Sequence, residues 1–465
     1  MSDSTALPAD HVFDVVVIGG GVVGCAVARE LARSGSVGIV EARCDIGDGT
    51  SKANTAILHT GFDATPGTVE SRLVARGYAL LKEYADRAGI AVEVTGAVLV
   101  AWTEEELAAL PGLAEKAAAN GYRHTRQVSA AEVYAMVPRL GEGLRGGLEV
   151  PDEAIIDPWT TTLSFANDAL AEGARLLREC RVESVSRLDG ITTLHTSTGD
   201  VRARWVVNAA GLGADVIDGH FGYQRFTVTP RRGELLVFDK LARPMVPRIV
   251  LPVPSSRGKG VLVSPTIFGN VMLGPTAEDL TDRKDTSTSV AGVEELLDKG
   301  AGIMPALLKE EVTAMYAGLR AATEHGDYVI ELDREQGYLL LGGIRSTGLT
   351  SAMALAEYAR ELLSDAGMVT APPPDGPVRS MPPLGESMLR PHADPARVAI
   401  DADYGRVVCF CERVTRGEVR DALASTIPPR DLDGLRRRTR AVMGRCQGFY
   451  CGVEVQRLLD EGMAR

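Results

Sequence analysis

Apolar and polar positions follow two rhythms along the chain, and the switch between them marks its elements. Residues 13–18, "FDVVVI", are a short apolar, β-branched run that predicts a buried strand. "GGGVVG" follows at once, and then "CAVARELARSG", whose apolar spacing predicts a helix ending near Gly35. A second strand, "VGIVE", ends at Glu41. Residues 201–215, "VRARWVVNAAGLGAD", predict a strand leading to Ala209, Ala210 and Gly211. Residues 337–363 predict a strand, a glycine-rich turn with Gly343 and Arg345, and a long helix beginning near Gly348, Leu349 and Thr350. Between these units, residues 92–102 read as a strand and 104–120 as an amphipathic helix. Residues 226–239 and 261–274 alternate as sheet strands do. The eight prolines of residues 370–397 predict a stiff linker or an extended strap, not a helix. The chain shows no internal repeat.

The first of these patterns carries chemistry. Strand, glycine turn, helix, strand and acid follow in the order of a dinucleotide site. Gly19 permits the tight turn, Gly21 lets the backbone approach a pyrophosphate, and Gly24 lets the helix pack on the sheet. Glu41 lies 22 residues after Gly19, placed to accept ribose hydroxyls. The bland reading is a tight turn in an empty α/β unit. The fingerprint alone does not choose between NAD and FAD.

Charge and cysteine usage narrow the picture further. A chain of 465 residues has room for two or three domains. Its net charge of −12 argues against a nucleic-acid surface. No apolar run nears the ~20 residues that span a bilayer. "MSDSTALPADH" lacks the basic start of a secretory signal. A cytoplasmic location is expected, with membrane association only through a partner. In that reducing compartment, clustered cysteines are expected as metal ligands or redox groups. Four of the seven cysteines cluster: one residue separates Cys409 from Cys411, thirty-four separate Cys411 from Cys446, and four separate Cys446 from Cys451. Structural zinc sites usually leave two to four residues between paired ligands, so the tight first pair favours an iron–sulfur cluster. Zinc and free thiols remain open on spacing alone.

Several segments together resemble known families. The segments at 201–215 and 337–363 are similar to those of the D-amino-acid-oxidase-like FAD-dependent oxidoreductases. That resemblance implies FAD, with the helix at Gly348, Leu349 and Thr350 pointing its N-terminus at the flavin. It also implies that residues 47–68 run under the flavin ring, where Ser51, Ala53 and Thr55 are small enough for close approach. His59 would then stand near the reacting carbon as a substrate-side residue. The bland reading of a lone histidine is structural. "VVCFCERVT" and "GRCQGFYC" resemble the bacterioferritin-associated-ferredoxin-like domain, which implies a [2Fe-2S] cluster on Cys409, Cys411, Cys446 and Cys451. Gly444, Gly448 and Gly452 would bring backbone amides toward its sulfurs. The basic run Arg436–Arg440 reads as a solvated face, or else as a contact to a flavin phosphate or a partner.

The fold class implied is α/β: a Rossmann-like FAD-binding domain, an antiparallel β substrate domain, and a small, mainly helical iron–sulfur domain. The oxidoreductase part is expected over 12–366, with its FAD portion at 12–90, 150–225 and 318–366 and its substrate portion at 91–149 and 226–317. A linker at 367–397 and a cluster domain at 398–465 follow.

The whole chain resembles the catalytic polypeptides of anaerobic glycerol-3-phosphate dehydrogenases, and its flavin part equally resembles L-2-hydroxyglutarate oxidases. "PRRGELLVFD", "LVSPTIFGNVMLGPTAED" and "AGLRAATEHGDYVIE" carry the likeness. It implies a small anionic substrate with a CH–OH to oxidise, bound by Arg320, with Arg345 in the flavin-side turn as a second candidate for the same role. Electrons would leave through the cluster to a protein or quinone-linked acceptor. Two departures bear on the substrate. Phe62 and Asp63 stand where these enzymes usually place an arginine, and the lysine common after the final glycine turn is missing. An amine or amino-acid oxidase, and a non-catalytic electron-transfer protein, are the other readings.

Overall fold

Residues 15–17 are three consecutive valines with no solvent exposure, and a strand covered on both faces is where such a run belongs. The computed structural model describes residues 10–254, 260–374, 384–385 and 389–464. Strand β1 (Val12–Ile18) leads through the glycine turn into helix α1 (Val22–Leu31). It pairs in parallel with β2 (Val37–Val40) on one side and with β3 (Gly199–Asn208) on the other. The helix can lie this close because position 24 is glycine: a Cβ there would meet the Gly19 carbonyl oxygen at 1.9 Å.

The chain then builds a second sheet, of nine strands. Strand β4 (Thr229–Phe238) pairs antiparallel with β5 (Val312–Ala322) along nearly its whole length. The pairs in this sheet are antiparallel except one: Ile249–Pro252 runs parallel to Ala97–Ala101. The expected boundary at residue 318 falls inside β5. Its register runs unbroken from Leu319 to Ala322 against β4, so those residues go with the second sheet. Helix Glu104–Ala119 forms as expected, opened by a reciprocal capping box between Thr103 and Glu106.

The chain returns to the first sheet at β6 (Tyr338–Gly342), which pairs with the end of β3. Helix α2 (Gly348–Asp365) then packs on α1. One apolar core lies between the sheet and these helices, and another on the opposite face around Phe13, Val16 and Tyr338. Sheet and helices thus bring the Gly19 turn, the end of β3 and the start of α2 to one edge.

Much of the proline-rich segment, residues 375–383 and 386–388, lies outside the described residues. Its end is not extended: Pro395–Ile400 is a short helix, with Pro395 at the first helical position and Asp394 capping it. Beyond it, α3 (Leu432–Thr439), α4 (Gly452–Met463) and the helix Arg416–Leu423 enclose a small apolar core that includes Cys409 and Cys451. No helix among the described residues is long and apolar enough to cross a membrane.

The reading of Arg436–Arg440 as a solvated face is corrected by the structure for three of its four arginines. Arg437, Arg438 and Arg440 are buried where the C-terminal domain meets the rest of the chain. Arg438 grips Asp45 with two nitrogens at 2.7 and 2.9 Å, and Arg437 reaches the same carboxylate at 2.9 Å and Asp48 at 3.0 Å. Arg440 binds Glu412 at 2.8 Å and lies 4.3 Å above the Phe268 ring. Charge density in sequence marks the run as exposed, whereas partners nearly four hundred residues away make it an interface. Burial alone would push the Asp45 pKa up. Arg438, with Arg437 and Arg178, outweighs that and holds it below the usual value.

Candidate active site

The glycine turn leaves the N-terminus of α1 open, since Gly21 caps it without a side chain. One of its free N–H groups, that of Val22, donates to Ser51 Oγ at 3.0 Å. Gly19 has a φ of +107°, and a Cβ there would meet the Ala209 carbonyl oxygen at 2.5 Å. The turn therefore presses against the end of β3, where Ala210 and Gly211 follow. Glu41 closes the cradle: its carboxylate accepts from Gly20 N and Arg43 N, both at 2.7 Å. Burial raises its pKa and those two donors oppose the rise. Each carboxylate oxygen keeps a lone pair for a ribose hydroxyl. Open amides at a helix end beside a buried acid suit a dinucleotide. Glu41→Ala is expected to weaken FAD binding by roughly 1–3 kcal/mol, measured as a dissociation constant by flavin fluorescence. Unchanged affinity would contradict this role.

The loop after β2 leans on β5. Thr50 Oγ1 donates to Leu319 O at 2.8 Å, and Tyr316 donates its hydroxyl to Asn54 O at 2.8 Å. A Cβ on Gly318 would meet Ala53 O at 2.2 Å, so the strand needs glycine there. Thr55 lies half-buried in this loop. His59 N donates to Thr350 Oγ1 at 3.1 Å, which ties the loop to the first turn of α2, where Gly348 and Leu349 are buried. Gly343, at φ +65°, turns the chain between β6 and α2.

The structure adds a residue that the sequence did not reveal. Glu153, with no solvent exposure, stands 3.0 Å from His59 Nδ1. Its other oxygen accepts from Thr60 N at 2.6 Å and Thr60 Oγ1 at 2.9 Å. Phe62 is packed in an apolar core with Ile57 and Leu110, so that position turns inward.

The two candidate arginines differ. Arg320 is partly buried, and its only hydrogen bond among the described residues is a long one, 3.4 Å, to Thr276 O. Burial lowers its pKa and the neighbouring Arg231 charge adds to the effect. Arg345 is instead neutralised by Glu70 at 2.7 Å, an acid that also accepts from Thr347 Oγ1 at 2.7 Å. It braces the turn into α2.

The four clustered cysteines come together in the C-terminal domain. The thiols of Cys411 and Cys446 face each other, as do those of Cys409 and Cys451. Among the described residues, no three His, Cys, Asp or Glu side chains converge as for one metal ion. Two pairs of thiols suit a cluster of two irons. The backbone amides of Tyr450, Gly448 and Phe449 lie around the Cys446 thiol and hold its pKa below the usual value against the effect of burial. Gly444 is needed for close approach, because a Cβ there would meet Cys411 Cβ at 2.3 Å. Cys25, Cys44 and Cys180 are free and stand elsewhere.

Residues 14–362 match the family model described as FAD dependent oxidoreductase. The chain belongs to that family. Residues 407–461 of this flavoprotein match the BFD-like [2Fe-2S] binding domain. Its cofactors are therefore FAD and a [2Fe-2S] cluster. The flavoprotein is 33% identical over 450 residues to a glycerol 3-phosphate dehydrogenase of Caloramator mitchellensis, covering 96% of this chain and 94% of that one. It is 28% identical to a polypeptide of the anaerobic glycerol-3-phosphate dehydrogenase of Escherichia coli, covering 96% of this chain and 88% of that one. Among solved structures, the L-alpha-glycerophosphate oxidase of Mycoplasma pneumoniae with FAD bound superposes with a TM-score of 0.74 at 26% identity, over 80% of this chain and 99% of that one.

Proposed function

We propose that the flavoprotein is a dehydrogenase that oxidises the secondary hydroxyl of glycerol 3-phosphate and exports the electrons through its C-terminal domain. The observation that carries this reading is Arg320, a partly buried cation without a carboxylate partner among the described residues, on a strand against the loop that bears His59. Such a charge is costly to leave unpaired, and a phosphate or carboxylate on the substrate would satisfy it. Relatives named for glycerol 3-phosphate, matched along nearly the whole chain, support the phosphate.

When bound, FAD supplies the hydride acceptor and the [2Fe-2S] cluster relays electrons singly. In this reading Arg320 anchors the anionic end and sets the carbinol carbon beside the His59 loop. His59 Nε2, which has no partner among the described residues, takes the hydroxyl proton. The N-terminal turn of α2 lends its partial positive charge to the flavin side of the site. Ser51, Glu41 and the Gly19–Gly24 turn hold the dinucleotide. Cys409, Cys411, Cys446 and Cys451 hold the cluster, close to the surface where a protein or quinone-linked acceptor would collect electrons. A cytoplasmic location fits this scheme.

An anaerobic panel tests the substrate class. Glycerol 3-phosphate is expected to bleach the flavin with no ammonia released, while glycine and proline leave it yellow. Bleaching by the amino acids alone, with ammonia, would replace this reading with that of an amine oxidase.

A further inference from the structure

We infer that Glu153 is a positioning residue for the oxidation: it fixes His59 in the tautomer with the proton on Nδ1, and so keeps Nε2 free to accept. The inference rests on the reading of His59 as proton acceptor. Oxidising a CH–OH removes a hydride from carbon, which FAD takes, and a proton from oxygen. Nε2 can take that proton only while it carries none itself.

The hydrogen bonds around Glu153 decide the tautomer. One oxygen accepts from Thr60 N and Thr60 Oγ1. The backbone N–H can only donate, so this oxygen must stay an acceptor. The other oxygen stands 3.0 Å from Nδ1. Ionised, the carboxylate has no proton to give, so Nδ1 must be the donor. The same carboxylate has no solvent exposure and no Lys or Arg partner among the described residues. The positive charge that forms on His59 when the proton arrives is then paired at once. Other titratable groups near the pair do not supply this. Tyr78 on the helix Val69–Ala88 donates its hydroxyl to Asp152 O, and Tyr122 donates to the Asp152 carboxylate, which also pairs with His124 at 2.6 Å.

Glu153→Gln is the informative change because it keeps the shape and reverses one donor. Thr60 N still demands an oxygen, so the amide must turn its NH2 toward Nδ1. That forces the His59 proton onto Nε2 and blocks acceptance. Flavin reduction at saturating substrate is expected to slow about 100-fold or more, with FAD content and apparent substrate constant little changed. Raising the pH should not restore the rate, because the fault is in the tautomer and not in protonation.

His59→Gln separates the two layers of the argument. If His59→Gln reduces flavin at the wild-type rate, the proton-acceptor reading falls. If it is slow while Glu153→Gln is fast, only the role of Glu153 falls. Nitrogen-15 NMR of histidine-labelled wild-type protein gives a readout that needs neither turnover nor a folded Glu153 variant. The signal lost in His59→Gln should report a protonated Nδ1 and a bare Nε2, and the opposite tautomer would overturn the inference.

Discussion

Arg320→Ala is expected to lower the efficiency of flavin reduction by about ten-fold to a hundred-fold, the loss of ~1.5–3 kcal/mol of charged hydrogen bonding. In the free protein this guanidinium has one long bond to Thr276 O and a like charge nearby. No carboxylate among the described residues pairs with it, and the proposed substrate would supply that anion. Removing it leaves no buried group unpaired apart from one weakly bound carbonyl, so folding, FAD content and iron content should stay normal. Lysine should rescue only in part, because it lacks the planar fork that meets two phosphate oxygens. Wild-type reduction kinetics in Arg320→Ala would remove the anion site from this residue.

Asp45→Ala should cost more, about 3–5 kcal/mol, because it takes from the buried Arg438 the carboxylate that it grips with two nitrogens. Asp45 has no solvent exposure and binds Arg437 and Arg438 of the C-terminal domain, with Arg178 at 3.7 Å. Without its charge, three guanidinium groups crowd one buried space. The urea midpoint should fall, and the transition of the C-terminal domain should separate from that of the rest. The pH dependence has a definite sign. Arg438, Arg437 and Arg178 hold the Asp45 pKa below its unfolded value despite burial, so its contribution is complete above the unfolded value of about 4. It is lost as pH falls through the depressed folded value. Wild type should therefore loosen in acid by a step that Asp45→Ala lacks. An unchanged urea midpoint in the variant would show that the pairing does not support docking.

What is legible in the sequence and what stays hidden follow from range. The strand–turn–helix unit and the acid that meets its turn are legible because Gly19, Gly21, Gly24 and Glu41 obey local rules of turn, helix packing and strand length. The grouping of the cysteines is legible because one and four residues separate the members of the two pairs in the sequence itself. Glu153 is hidden: it lies in "VPDEAII", 94 residues from His59, and no local pattern sets it apart from a surface acid. Arg437 and Arg438 mislead for the same reason. A run of arginines reads as solvated until Asp45, 393 residues from Arg438, is brought to it. The proline rule fails at Pro395, where the ring starts a helix instead of preventing one.

The most direct test of a dehydrogenase that hands electrons to its own cluster is one anaerobic mixing experiment. Wild-type protein is mixed with glycerol 3-phosphate, flavin absorbance is followed by stopped flow, and samples are frozen for electron paramagnetic resonance. The account predicts that the flavin bleaches first and that the signal of a reduced [2Fe-2S] cluster then grows in the same sample. A flavin that bleaches while the cluster stays oxidised, or one that glycerol 3-phosphate does not bleach at all, would contradict it.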